Sequence, residues 1–109
     1  MESTISGRTS IDDGAPSSIE VLPEIVEAVG SKMEVLFDGG IRSGQDVMRA
    51  LALGAKSCMI GRAYVHGLGA GGAEGVAKAL DLIRNEMLVT MGLCGVNTIA
   101  EIDDHVLAI

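Results

Sequence analysis

Aromatic side chains are almost missing from this sequence. One Phe, one Tyr and no Trp account for 2% of its 109 residues. Any core must therefore be built from Val, Ile, Leu, Met and Ala, and a surface that stacks nucleic-acid bases is disfavoured. Basic residues are scarce too: 8 Lys and Arg face 15 Asp and Glu, for a formal net charge of −7. Phosphate-rich surfaces recruit clustered Lys and Arg, so this balance argues against nucleic acid or an anionic membrane as a partner. Cys58 and Cys94 are the two cysteines, each inside an apolar stretch with no second cysteine at metal-ligand spacing. They read as reduced, buried thiols of a cytosolic-type protein rather than a disulfide or a zinc site. No apolar run is long: Arg62, His66, Glu74 and Lys78 interrupt the longest ones, well short of the ~20 residues that cross a bilayer. Met1 to Asp13 has no apolar h-region of a secretory signal. Neither export nor a transmembrane segment is expected.

Hydrophobic residues nevertheless make up 48% of the chain, which excludes a disordered class and suits one ordinary domain. Met1 to Ser10 mixes Ser, Thr, Gly and charge without a period of 2 or 3.6, and residues 1–12 are expected to form a poorly ordered leader. Asp13-Gly14-Ala15-Pro16-Ser17-Ser18 is a turn cluster with capping serines. Ile19, Val21, Leu22, Ile25, Val26 and Val29 then share one stripe. With Pro23 at its opening, the stripe predicts a helix from about Leu22 to Val29, stopped by Gly30, with Glu20, Glu24 and Glu27 as a wet face.

Met33 to Phe37 is a short run of strand formers ending in Asp38-Gly39-Gly40. Ser43 and Asp46 make a weak variant of the capping box, and Val47, Met48, Ala50, Leu51 and Leu53 follow at helical spacing up to Gly54. Ser57 to Ile60 predicts a second strand, which ends in Gly61-Arg62. Gly67 to Gly75 is low in complexity, with five glycines in nine positions. A long amphipathic helix should run from about Ala73 to Leu93, ended by Gly95, with a last short capped turn or helix from about Ile102 to Leu107. The order is α, β, α, β, α, an α/β pattern whose helices can cross over between parallel strands. A whole (β/α)8 barrel takes ~250 residues, so fewer than half of its units fit. The pattern is that of about two βα units from a larger domain.

The chemistry-bearing feature is a pair of strand ends, Asp38-Gly39-Gly40-Ile41-Arg42-Ser43-Gly44 and Gly61-Arg62. Glycines let backbone N–H groups approach an anion, the helix starting near Ser43 directs its positive end there, and two arginines add charge-assisted donors. Together they predict a phosphate cradle, and barrels frequently bind a ligand phosphate on the loops after their last two strands. The plainer alternative is that Gly39 and Gly40 only turn the chain and the arginines are solvated. Asp38 likewise has two readings, a ligand contact or an Asx-type bond that fixes its own loop.

From Asp13 onward the sequence resembles the C-terminal part of the FMN-dependent 2-hydroxy acid oxidoreductases, the family of glycolate oxidase and flavin-linked L-lactate dehydrogenase. The resemblance rests on Asp13-Gly14-Ala15-Pro16-Ser17-Ser18, Asp38 to Gly44, Ala50-Leu51-Ala52-Leu53-Gly54-Ala55 and Ile60-Gly61-Arg62. In the tail it rests on Arg84-Asn85-Glu86-Met87, Met91-Gly92 and Gly95. It implies that residues 13–109 are the C-terminal portion of an FMN-binding TIM barrel. Asp38, Gly39, Gly40, Ile41 and Arg42 would contact the FMN ribityl and phosphate, with Gly61 and Arg62 on the phosphate's other side. It implies a small-molecule 2-hydroxy acid of L-lactate type as substrate. The compartment it implies is the cytoplasm, with peripheral attachment at the inner membrane as a variant.

The departure from the family is as informative. The family's Ser-Asn-His-Gly-Gly-Arg-Gln-Leu stretch supplies the histidine base and the arginine that binds the substrate carboxylate. Here the corresponding stretch, Thr4-Ile5-Ser6-Gly7-Arg8-Thr9-Ser10-Ile11-Asp12, contains no histidine. Arg8 is the remnant candidate for the carboxylate-binding arginine, across a one-residue length change before Asp13. His66 and His105 lie away from the predicted strand ends and read as surface or hydrogen-bonded structural histidines, so no catalytic residue is assigned. Three functions follow: a portion of a flavin-dependent oxidoreductase that is inactive alone, a non-catalytic truncated remnant, and a phosphate- or FMN-binding fragment. Two parallel strands with open edges leave backbone groups unpaired, so self-association or a barrel-completing partner is expected.

Overall fold

The computed structural model describes residues 2–6 and 16–107. Arg8 and the Asp13-Gly14-Ala15 turn lie outside the described residues. Three parallel strands form the sheet: β1 (Glu2–Ser6), β2 (Glu34–Asp38) and β3 (Ser57–Met59), in the spatial order β1-β2-β3. β1 raises the expected two strands to three. Its five residues lack a clean alternation, and what defines the strand is its pairing with β2, from Glu2 opposite Glu34 to Ser6 opposite Asp38. A doubly wound sheet reverses its strand order at a switch point, whereas this one advances one strand at a time, as a barrel does.

α1 (Ser18–Val29) starts earlier than Pro23 implied. The signal lies upstream, in Ser17 and Glu20. The Ser17 backbone N–H donates to Glu20 Oε2 at 2.6 Å and the Ser17 hydroxyl to the same atom at 3.0 Å, so the helix is fixed at its true start. Pro23 is then an interior residue that forfeits one helical hydrogen bond. α2 (Gly44–Ala52) begins where Ser43 Oγ accepts from the Asp46 N–H at 3.2 Å. α3 (Arg62–Cys94) includes most of the glycine-rich stretch that the sequence set outside the helix. The chain is helical from Arg62, leaves helical geometry only at Gly71 and Gly72, and resumes to Cys94. Gly95, at φ +74°, ends it. Two single 3-10 turns, Ile99–Glu101 and Asp104–Val106, close the described chain.

Alternation along β2 decides which face is covered. Val35 and Phe37 are 2% and 1% exposed and pack with Leu22, Ile41, Ala50 and Ala55, beneath α1 and α2. Leu36 and Asp38 point the other way and are half-buried. On β3, Cys58 is opposite Phe37 and joins the covered face, while Met59, opposite Asp38, is 46% exposed. The helices therefore cover one face of the sheet. The second cluster, Met48, Leu51, Ala52, Met91, Val96 and Ile102, joins the far side of α2 to the second half of α3.

Cys58 and Cys94 are free but half-buried, where full burial was expected. Burial pushes the Cys58 thiol up to about 11 from 9.0. Because the folded state favours the neutral thiol, its contribution to stability is whole below pH 9 and is lost as pH rises from 9 to 11. The loss of stability over that window should be smaller in Cys58→Ala than in the parent chain, which alkaline unfolding followed by circular dichroism would show. Equal losses would mean that Cys58 is not the responsible group.

Candidate functional site

Parallel strands in register bring their following loops to one place. Ser6, Asp38 and Met59 occupy one level at the carboxyl end of the sheet. The loop Gly39–Ser43 and the link Ile60–Gly61 therefore leave neighbouring strands side by side. The two sequence motifs, separated by 17 residues between Ser43 and Gly61, become the neighbouring rims of one candidate site.

In the first rim Gly40 adopts φ +71°, a conformation that side chains rarely take. Ile41 is 5% exposed and packs into the core under α1 and α2, so its side chain anchors the loop and only its backbone is left to face a ligand. The Arg42 N–H donates to Asp46 Oδ2 at 3.0 Å, and Asp46 Oδ1 accepts from Arg49 at 2.9 Å. The start of α2 is thus largely satisfied by its own residues. Arg42 is exposed, and its guanidinium forms no ion pair among the described residues. Asp38 is half-buried, and among the described residues its carboxylate has no hydrogen-bond partner, so the Asx-type bond is not present there.

The second rim differs. The cap residue of α3 is Gly61, which has no side chain to satisfy the first N–H groups of the helix. Arg62, the first residue of that helix, is exposed and makes no ion pair among the described residues. Uncapped N–H groups, the positive end of a helix and a guanidinium are together a donor set for an anion. A Cβ built on Gly40 or Gly61 would meet nothing within 4 Å, so open space lies before both backbones. These donors suit a phosphate monoester. The cleft lined by Val26, Gly30, Met33, Gly54 and Lys56 is at the opposite end, where the strands begin.

Neither histidine joins these rims. His66 is exposed in the first half of α3, and His105 lies in the last 3-10 turn with its ring Nδ1 against Asp103 Oδ1. The His105 backbone N–H also donates to that oxygen at 3.0 Å, and these bonds hold the Asp103 carboxyl below its usual range. No group of three or more His, Cys, Asp or Glu able to hold a metal occurs among the described residues. None of the described helices is long and apolar enough to cross a membrane.

Sequence reasoning placed Gly44 in the glycine loop but missed its packing role, which is to seat the start of α2 on α3. A Cβ there would lie 2.5 Å from the Ile83 carbonyl oxygen and collide with the Met87 backbone nitrogen. Its only sequence signal is its place at the end of the glycine loop.

Comparison with known proteins bears on the family and the fold. The profile of a family described as FMN-dependent dehydrogenase matches residues 4–109. An L-lactate dehydrogenase of Caulobacter sp. (strain K31) is 56% identical over 96 residues, 88% of this chain and 25% of its own. Human 2-hydroxyacid oxidase 1 is 50% identical over 91 residues, 84% of this chain and 25% of its own. Among solved structures, a mandelate oxidase variant superposes with a TM-score of 0.81 at 44% identity, over 91% of this chain and 31% of that one. A flavocytochrome b2 variant superposes with a TM-score of 0.84 at 38% identity, over 96% and 29%. The chain spans about a quarter of the length of the curated relatives it matches.

Proposed function

Because the chain belongs to the FMN-dependent dehydrogenase family and its βα units are part of a TIM barrel, we propose that it carries the FMN-phosphate end of an enzyme that oxidises a 2-hydroxy acid of L-lactate type to the 2-oxo acid. The observation that carries this reading is the pairing of two neighbouring loops. Arg42 and Arg62 stand there beside the open backbones of Gly40 and Gly61 and the uncapped start of α3. The identity to L-lactate dehydrogenase supports the substrate class.

In this reading the first N–H groups of α3 and the Arg62 guanidinium hold one side of the phosphate, and the Arg42 guanidinium holds the other. Gly40 and Gly61 let the backbone come close, and Asp38 accepts from the ribityl hydroxyls. FMN bound there supplies the acceptor for the hydride equivalent leaving the hydroxyl-bearing carbon. Removing the substrate proton requires a base near that carbon, and neither described histidine is at a strand end. The pure chain, given FMN and L-lactate or glycolate, should therefore show no 2-oxo acid formation; measurable turnover would refute this.

The direct test is FMN titration of the purified chain followed by flavin fluorescence, with sedimentation on the same sample. Saturable binding is expected. Its absence, with aggregated or unfolded material, would favour the alternative of a non-catalytic remnant. The uncovered sheet face with Met59 and the exposed Leu88, Val89 and Leu93 of α3 support self-association or a barrel-completing partner in the same sedimentation run. The two free cysteines suit a reducing compartment, and we assign the chain to the cytoplasm.

A further inference from the structure

The two rims of the cradle are separate loops, so something must fix the distance between them, and β2 and β3 pair over only three residues. The glycines supply a second connection. The start of α2 touches the second half of α3 at Gly44, where backbone meets backbone at Ile83, Glu86 and Met87. That second half does not begin at the site: it follows the break at Gly71 and Gly72 and returns past the first half. Where the halves pass, a Cβ on Gly67 would lie 2.5 Å from the Gly75 carbonyl oxygen and 3.3 Å from the Ala79 Cβ. A Cβ on Gly75 would collide with the Gly67 carbonyl.

The contacts form one closed path. It runs from Arg42 and Ser43 into α2, across Gly44 to the second half of α3, across Gly75 and Gly67 to its first half, and back to Gly61 and Arg62. Each crossing is a backbone contact with no flexible side chain between, and so transmits position stiffly. Glycine in a helix costs about 1 kcal/mol relative to alanine. Gly69, on the same helical half, has open space where its Cβ would be, so only Gly67 and Gly75 offset that cost with a contact. We propose that Gly67 and Gly75 are positioning residues, which with Gly44 set the separation of the two arginine-bearing rims. The proposal rests on the phosphate-cradle reading above and names what holds that cradle in shape.

The test compares Gly75→Ala and Gly67→Ala with two controls. Gly69→Ala adds a methyl group to open space on the helical half that carries Gly67. Gly54→Ala strains a tight contact with Val26 at the far end of the sheet. Nitroxides on Gln45→Cys and His66→Cys, in a chain with Cys58 and Cys94 replaced by Ala, report the distance between α2 and the first half of α3 by pulsed electron resonance. The distribution should shift or broaden in Gly75→Ala and Gly67→Ala, and stay unchanged in both controls. In parallel, FMN affinity should weaken by about tenfold in the two positioning variants, the loss of one charge-assisted hydrogen bond. Riboflavin affinity should stay within about twofold.

An unchanged distance in folded Gly75→Ala and Gly67→Ala overturns the proposal. So does the same shift in Gly54→Ala, or failure of both positioning variants to fold, since the contact would then serve general stability. If the parent chain binds no FMN, the cradle reading falls, and the spin-label distances still decide whether the glycines set the separation.

Discussion

Replacing Gly44 with alanine should destabilise this chain by on the order of 3 kcal/mol. In an open helical position the change would be favourable, because alanine gains up to about 1 kcal/mol over glycine. Here the new methyl group meets the Ile83 carbonyl, the Glu86 carbonyl carbon and the Met87 backbone nitrogen, none of which can rotate away as a side-chain tip can. Relief requires α2 to move off α3, and that separates Met48, Leu51 and Ala52 from Met91. Overpacking of this kind costs on the order of 3 kcal/mol, a large share of the 5–15 kcal/mol typical of a whole domain. Gly92→Ala is the matched control, since its methyl group would enter open space and should leave the midpoint unchanged or raised. Urea denaturation followed by helix ellipticity distinguishes them; equal midpoints for Gly44→Ala and the parent chain would refute the packing argument.

The same residue shows where the sequence stops being legible. Local signals were read correctly where the cause is local: Ser43 and Asp46 do cap α2, Gly95 does end α3, and the strand formers of β2 and β3 do pair. The start of α1 is also local, in Ser17 and Glu20, and lies four residues before the start that Pro23 suggests. Gly67 is a different matter, whereas Gly75 lies inside the helix expected from Ala73. Helix propensity alone makes five glycines in nine positions a loop, and only the neighbouring half-helix shows why the chain is helical there. β1 was missed for a related reason, since its definition is the register with β2. At the site, the sequence named both rims, and the sheet's parallel register explains their proximity. It did not show that Ile41 is committed to the core or that the Arg42 N–H is already bound to Asp46.

Those last two facts sharpen the expectation for the arginines. With the Arg42 backbone donor occupied, its contribution to an anion rests on the guanidinium, as does the added charge of Arg62 beside the uncapped N–H groups. A charge-assisted hydrogen bond contributes about 1.5–3 kcal/mol, or about 10–100-fold in affinity. Arg42→Ala and Arg62→Ala should each weaken FMN binding by that order. Both side chains are exposed and neither belongs to a core cluster, so thermal midpoints should stay near the parent value, unlike that of Gly44→Ala. Riboflavin offers the same ring without the phosphate, and its affinity should be indifferent to both changes. Ionic strength gives an independent check, because exposed charges are screened over about 8 Å at physiological salt, and FMN but not riboflavin should bind more weakly as salt rises. Lysine at either position keeps the charge and loses the planar fork, so partial recovery in Arg62→Lys would separate attraction from geometry. Unaltered FMN affinity in the Arg42→Ala, Arg62→Ala double variant would mean that these arginines are solvated and that the glycines only turn the chain, the plainer of the two readings the sequence allowed.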